Sequence, residues 1–300
     1  RLVVLEERRS RVDNNPGAIL SEHINGALFL NHPYRNPVIG WEHDIKTLDI
    51  NRIMAFYKRW YAPNNAILVV AGAITAAQLK PLAEKHYGKI PAQPPVVRAR
   101  AKEPPQKAAR EVILRDKRVR QPSWRRSFLA PSHQWGDKTH VYPLEILSDI
   151  LGGGASSRLY QRLVVETKTA ISSGAYYSGD DRGPGRFVFF ASPRGNVSMD
   201  DLEKAVETEI TDIIENGITV EEVRRAKERI IAEAVYARDS LSGGARTIGA
   251  ALASGLSIND VESWPDNIAA VTVEQIHQAA RAVFDNNRSV TGLLLPAKES

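Results

Sequence analysis

The stretch RLVVLEERRSRVDNN, residues 1–15, sets the interpretation of everything that follows it. An apolar run leads directly into the acidic pair Glu6–Glu7, and an arginine-rich polar run comes next. This pattern is typical of a helix interior, and neither a capping residue nor an initiator methionine nor a signal peptide precedes it. We therefore expect residue 1 to lie inside a helix whose beginning belongs to an upstream part of the natural chain.

Length and composition predict a soluble, globular protein with room for two domains. The 300 residues are 43% apolar and 25% charged, which is ordinary for such proteins. No run of about 18 apolar residues is present, so no membrane span is predicted. The absence of cysteine excludes disulfides, thiol catalysis and Cys-ligated zinc.

Positive charge is concentrated in one short part of the sequence. The net charge is +4 in residues 1–93, +8 in residues 94–126 and −7 in residues 127–300. The basic stretch allows a nucleic-acid-binding hypothesis, which predicts salt-dependent affinity. We favour a solvated linker followed by an exposed strand face, and hence no nucleic-acid partner.

Alternating helix and strand patterns on both sides of a proline-rich stretch predict an α+β chain of two domains. PAQPPVVRARAKEPPQKAA is the clearest linker. We predict a first domain over residues 1–93, a linker over 94–110 and a second domain over 111–300. The irregular alternation favours α+β layers over a regular Rossmann order.

Several elements have specific signals. In residues 47–61, apolar side chains at helical spacing predict an amphipathic helix, with Thr47 as its N-cap. AILVVAGAI, residues 66–74, predicts a buried strand. Ser198 and Thr219, each followed by acidic residues, predict the starts of two long helices. The apolar positions of the amphipathic helix are Ile50, Ile53, Met54 and Tyr57.

The seven histidines form no recognised metal motif. Neither HExxH nor its inverted form HxxEH occurs. His32 and His43 lie 11 positions apart in a loop, and they leave open a weak metal-site hypothesis. Histidines that bond to the surrounding backbone are the favoured interpretation.

The long ordered stretch RLVVLEERRSRVDNNPGAILSEHINGALFLNHPYRNPVIGWEHDIKTL, followed by FYKRWYAPNNAILVVAGAI, resembles the M16 metallopeptidases. This is the pitrilysin, insulinase and mitochondrial processing peptidase family, and the chain is most similar to its short bacterial M16B type. SSRLYQRL after a glycine run is also family-like. The resemblance covers essentially the whole chain, and it implies two α+β domains of the M16 type, the first incomplete at its N-terminus.

The resemblance implies a zinc site to which this chain contributes one ligand. Family members bind Zn²⁺ through HxxEH on one helix and a glutamate on a second helix. RLVVLEE matches the second helix, which places the third ligand at Glu7 and leaves Glu6 a structural role. HxxEH, with the family's general base, is then expected upstream of Arg1. Two imidazoles and a carboxylate leave zinc an open position for a water molecule.

The family's substrate-carbonyl pair is replaced in this sequence. Active members carry an arginine and a tyrosine seven residues apart, and aligning SRLYQRLVVETKTAISS puts Val164 and Ile171 at those positions. Neither side chain can donate a hydrogen bond to an oxyanion. Arg162 and Tyr176 are near, but at the wrong spacing. We therefore predict no catalytic residue within this chain itself.

These features predict a zinc endopeptidase subunit that encloses peptide substrates in a clamshell chamber. A second M16B subunit, in a hetero- or homodimer, would supply the missing arginine and tyrosine. The alternative is a non-catalytic M16-like scaffold or peptide-binding subunit. Family habit suggests the bacterial periplasm or cell envelope, and the cytoplasm stays open.

Overall fold

The computed structural model describes residues 1–95 and 101–297, and these form an α+β fold. The first part of the chain is helical. Its first helix begins at Leu2, with Arg1 as the residue before it, and continues as a π-helical segment, Arg9–Asp13. The second begins at Pro16 beneath the cap Asn15, which accepts from two backbone N–H groups. The helices are α1 Leu2–Arg8, α2 Pro16–Leu28, α3 Glu42–Thr47, α4 Ile50–Trp60 and α5 Ala76–Tyr87.

A five-stranded sheet organises the second part of the chain. Its order is β1-β5-β2-β4-β3, with β1 and β5 parallel and the remaining pairs antiparallel. The apolar stretches AISSGAYYSG and GRFVFFASPRG on either side of DDRGPG predict a pair of strands, and they form the antiparallel β3–β4 pair. The strands are β1 Arg110–Asp116, β2 Ser123–Ala130, β3 Ala170–Ser178, β4 Gly185–Pro193 and β5 Ser289–Pro296.

Seven further α-helices accompany the sheet within the described residues. The caps predicted at Ser198 and Thr219 are confirmed, because each side chain accepts from the backbone three residues later. The helices between residues 243 and 270 have no counterpart among the sequence predictions. The seven are α6 Val141–Gly152, α7 Met199–Asn216, α8 Val220–Ala237, α9 Gly243–Ser254, α10 Ile258–Glu262, α11 Trp264–Ala270 and α12 Val273–Val283.

The main core lies between one face of the sheet and the helices α6, α7, α8 and α12. Its centre is aromatic: Phe284 contacts Phe128, Phe187 and Phe189 with ring centroids 4.8–5.6 Å apart. Tilted and edge-on ring pairs of this kind add stabilisation beyond the buried area. The helices therefore cover the apolar side chains that β2 and β4 present on this face of the sheet.

The opposite face of the sheet is covered in part by α2. Leu20, Ile24 and Leu28 are buried there against Val290 of β5. The approach is close at Gly292, where an added Cβ would overlap the side chain of Ile24. Glycine at this position therefore allows α2 to pack tightly on the strand.

Residues 101–110 are anchored against the first part of the chain. Glu103 accepts hydrogen bonds from the backbone N–H groups of residues 30, 31 and 32 at 2.7–3.0 Å. Gln106 and Arg110 donate to the carbonyls of Leu28 and Ala27. The predicted linker, 94–110, is thus held at its C-terminal end, while residues 96–100 lie outside the described part of the chain.

Two sequence predictions in the first part of the chain are wrong. The N-cap of the amphipathic helix is Asp49, which accepts from the backbone of Arg52, while Thr47 ends the preceding helix α3. Residues 66–74 form no strand within the described residues, and Ile67 and Leu68 are exposed. A strand needs a neighbouring strand for its backbone groups, and no described strand lies beside this segment.

Candidate functional site

Glu7, the expected zinc ligand, lies in the last turn of α1. Its Oε1 is 2.9 Å from the guanidinium of Arg11, and 42% of the side chain is exposed. Glu6 pairs instead with Arg9 at 3.2 Å. The two neighbouring acids therefore form separate surface ion pairs, each of the kind that contributes little to stability.

Arg8 fixes α1 on its surroundings. Its guanidinium is buried, forms two 2.8 Å hydrogen bonds to the carboxylate of Glu22, and donates to the carbonyl of Gly40 at 2.8 Å. The hydrogen bond from Arg8 to Glu22 raises the pKa of this guanidinium further. Bidentate pairing is strong and directional, so it locks the helix that carries Glu7 onto α2.

The described residues do not contain a complete metal site. No group of three or more His, Asp or Glu side chains among them is placed to hold a metal ion. His32 is buried, and its Nδ1 accepts from the backbone of Tyr34, whereas His43 is exposed beside Asp44. A zinc site needs three protein ligands, so the residues present do not fit zinc by themselves.

Val164 and Ile171 occupy different environments. Val164 lies in a π-helical segment, Tyr160–Glu166, and is buried in the main core with 8% of it exposed. Ile171 is 44% exposed and lies where the β3–β4 register shifts between Ala170 and Ser172. Both are aliphatic, so neither the helix nor the strand presents a hydrogen-bond donor at these two positions.

The nearby polar candidates do not replace them. Arg162 is paired with Glu166, one helical turn away, at 2.9 Å. Tyr176 is exposed on β3, with its ring 6.5 Å from that of Phe190. Sequence spacing had excluded both from the carbonyl-binding role, and the ion pair of Arg162 gives that side chain a structural partner of its own.

A second candidate site is a cavity of about 880 Å³ bounded by α6, α8, α9, α10 and α11. Glu145 and Trp264 line it, together with Tyr142 and His133. Sequence analysis missed it because its residues come from many separate elements. One signal was available: Glu145 interrupts the apolar run of α6, between the fully buried Leu144 and Ile146.

Comparisons with known proteins agree with the fold. The family described as the Peptidase M16 inactive domain matches residues 47–230. The zinc protease PqqE of Helicobacter pylori is 26% identical over 301 residues, which cover 99% of this chain and 66% of that protein. The crystal structure of a protease from Helicobacter pylori superposes with a TM-score of 0.90 at 24% identity, over 98% of this chain and 71% of that one.

A third similarity is to the periplasmic protease PqqL from Escherichia coli. Its structure has a TM-score of 0.80 at 19% identity, over 98% of this chain and 33% of that chain. The fold and the matched residues define a peptidase-type α+β protein. The chain belongs to the M16 peptidase family, and it spans about two thirds of the length of the curated relative from Helicobacter pylori.

Within residues 1–95 and 101–297, no helix is both long and apolar enough to cross a membrane.

Proposed function

We propose that this chain is part of an M16B-type zinc endopeptidase subunit that hydrolyses peptides only with a partner subunit. The partner would supply the arginine and tyrosine that hold the substrate carbonyl. The observation that carries the proposal is the pair Val164 and Ile171, which are aliphatic at both positions. A peptide carbonyl needs donors where its negative charge develops, and these two positions offer none.

The zinc site is the second part of the proposal. Glu7 would be one ligand, and HxxEH upstream of Arg1 would contribute the others, because Glu7 belongs to no metal group within the described residues. The name of the Helicobacter pylori relative, a zinc protease, supports zinc as the metal. No catalytic step is assigned to residues of this chain.

The proposal also includes domain organisation and location. Residues 1–93 would belong to the zinc-bearing domain, 94–110 to the linker and 111–300 to a second domain of the same type. The two domains would form half of a clamshell that closes on an unfolded peptide. The periplasmic protease of Escherichia coli, which has the same fold, supports a periplasmic location.

Hydrolysis of a fluorescence-quenched peptide by the full-length, zinc-loaded protein tests this function. We expect no turnover by the protein alone, and turnover after mixing with an M16B subunit that carries the arginine–tyrosine pair. Full activity of the purified homodimer would contradict the proposal.

Restoring the pair within one chain is a sharper test. We expect V164R combined with I171Y to give the full-length protein activity without a partner. The matched control combines I171Y with V165R, because Val165 is the exposed neighbour of Val164 on the same helix. Val164 is buried, so circular dichroism must first show that the variant folds. If it does not fold, the mixing experiment decides.

A non-catalytic M16 subunit is the second candidate, and one observation favours it. Val164 is packed into the core rather than placed at a surface that faces substrate. Such a subunit would bind peptides without hydrolysing them under any pairing. A full-length protein that binds no zinc, and stays inactive with every M16B partner, would identify it.

A further inference from the structure

The cavity between α6 and the helices α8–α11 contains an acidic side chain that the peptidase proposal does not use. Glu145 projects from α6, and its two carboxylate oxygens share a single donor, Nε1 of Trp264, at 3.0 and 3.2 Å. No salt bridge to Glu145 occurs among the residues that the structure describes. Glu145 is half-buried, and a carboxylate largely withdrawn from water is stabilised by a cation, which the described residues do not supply.

The surroundings of Glu145 suit a cation that carries an apolar stem. Aromatic side chains line the cavity: Tyr142 and His133 are edge-on with centroids 5.4 Å apart, and Trp264 donates to Glu145. Electron-rich ring faces attract ammonium and guanidinium groups. Small apolar residues of α8 and α9, including Ala234, Ala237 and Ala251, also line the cavity.

The charges at the edge of the cavity agree with this assignment. Asp180 is exposed near the opening, and Asp260 lines the wall while it also caps α10 through Ser257. Arg238 and Arg246 are both exposed to solvent. Three carboxylates, those of Glu145, Asp180 and Asp260, therefore line the cavity against two exposed guanidinium groups.

We propose that this cavity binds an ammonium or guanidinium group on an apolar stem, with the Glu145 carboxylate as its counter-ion and Trp264 and Tyr142 as its aromatic walls. The volume of about 880 Å³ is within the range of small-molecule sites. This volume is large enough for a lysine or arginine side chain with its flanking backbone, or for a free alkylamine. The inference needs no zinc and is independent of the peptidase proposal.

Binding should strengthen as pH rises through neutrality. Burial raises the pKa of Glu145 to about 7, against the opposing hydrogen bond from Trp264. Burial also lowers the pKa of His133. The imidazole is therefore neutral where Glu145 ionises, and it does not compete with a bound cation for the Glu145 carboxylate. The other titratable or charged groups around the cavity are Lys138, Tyr142, Tyr177, Asp180, Arg238, Arg246 and Asp260.

Isothermal titration of the chain with two peptides and one amine tests the site. The probes are acetyl-Ala-Ala-Lys-Ala-Ala-amide, the same peptide with norleucine in place of lysine, and butylamine. We expect the lysine peptide to bind at least about tenfold more tightly at pH 8 than the norleucine peptide. Tighter binding of the peptide than of butylamine identifies a peptide side chain as the source, and equal binding identifies a free amine. Both results support the cation site.

The variant E145Q separates binding from structure. Its amide oxygen still accepts from Trp264, so folding is retained, but we expect affinity for the lysine peptide to fall at least about tenfold and to lose its pH dependence. E274Q is the matched control, because Glu274 is exposed in the first turn of α12, away from the cavity. Equal affinities of the wild type and E145Q would overturn the proposal, as would equal binding of the lysine and norleucine peptides.

Discussion

The two parts of the chain differ in how much of their apolar surface is buried. Residues 1–93 contain Phe56, which is 58% exposed on α4, whereas residues 111–297 contain Phe128, which is fully buried between the sheet and the helices. Both belong to segments with good apolar periodicity. The difference is the presence of a partner surface, because helices α6–α8 and α12 cover the sheet, while nothing described covers the apolar face of α4.

α2 is the exception that supports this interpretation. It belongs to the first part of the chain, yet Leu20, Ile24 and Leu28 are buried because β1 and β5 lie beside them. Amphipathic pattern alone therefore predicts a helix, whereas burial depends on what the rest of the fold provides. The first part of the chain is joined to the second through this helix and through Glu103.

The same comparison applies to the chemistry. The first part carries Glu7, a single expected zinc ligand, and the second carries Val164 and Ile171 at the positions where the family resemblance predicts an arginine and a tyrosine. Neither part completes a peptidase site among the described residues. The function proposed above accordingly assigns the rest of the site to upstream residues and to a partner subunit.

Replacing one phenylalanine in each part should give the largest contrast. F128A removes a buried ring from the aromatic cluster and should lower the free energy of unfolding by about 3–5 kcal/mol. F56A removes an exposed ring and should change it by less than about 0.5 kcal/mol. Urea denaturation of both variants measures the difference. Comparable losses would show that Phe56 is buried in solution and would contradict the stated difference between the two parts of the chain.

Acidic side chains should show the second-largest contrast. Hydrogen bonding to Lys46 lowers the pKa of the exposed Glu42, whereas burial raises that of Glu145 from its usual 4.5 to about 7. Between pH 4.5 and about pH 7, Glu145 keeps its proton in the folded state although it has released it in the unfolded state. Glu145 therefore favours folding most at low pH, and this contribution is lost as pH rises towards 7.

The variant E145Q measures that loss. Between pH 4 and pH 8 the wild type should lose about 3 kcal/mol of unfolding free energy relative to E145Q. The reason is that each pKa unit corresponds to about 1.4 kcal/mol. Urea denaturation at both pH values gives the result, with E274Q, a substitution of an exposed glutamate on α12, as the control. A wild type and E145Q that change in parallel would show that Glu145 titrates normally.

The junction between the two parts should respond to a single methyl group. G292A places a Cβ against Ile24 and should cost about 1–3 kcal/mol. Shortening the opposing side chain, in G292A combined with I24V, should recover part of that loss. Thermal unfolding of both single variants and the double variant completes the cycle. Strictly additive losses would mean that α2 does not press on β5.

Glu103 should have the smallest effect of the four. E103Q keeps one acceptor oxygen but turns an amide N–H₂ towards backbone donors, which should cost about 1–2 kcal/mol. Amide hydrogen exchange at residues 30–32 should quicken accordingly. E111Q is the control, because Glu111 is exposed on β1. Unchanged exchange in E103Q would show that the loop is held by other contacts.

Much of the second part of the chain was predictable from local signals. Ser198 and Thr219 mark helix starts because a hydroxyl followed by an acid satisfies free backbone N–H groups. The strands of the hairpin were marked by apolar runs on either side of DDRGPG. These features depend on neighbours within a few residues, so the sequence contains them in full.

The rest depended on distant parts of the chain. Residues 66–74 have the composition of a strand, but pairing is a property of two segments and not of one. The cavity around Glu145 brings together residues from 133 to 265, which no spacing rule connects. The expected positions of Glu7, Val164 and Ile171 came from family resemblance, and their catalytic roles stay predictions.

Zinc titration of the 300-residue chain tests the central claim, that neither part of it completes a catalytic site. The account predicts no stoichiometric zinc at pH 7.5 in a competition assay with a chelating dye, and no change on replacing Glu7 with glutamine. One tightly bound zinc per chain, lost in E7Q, would contradict it and would place a complete metal site within these residues.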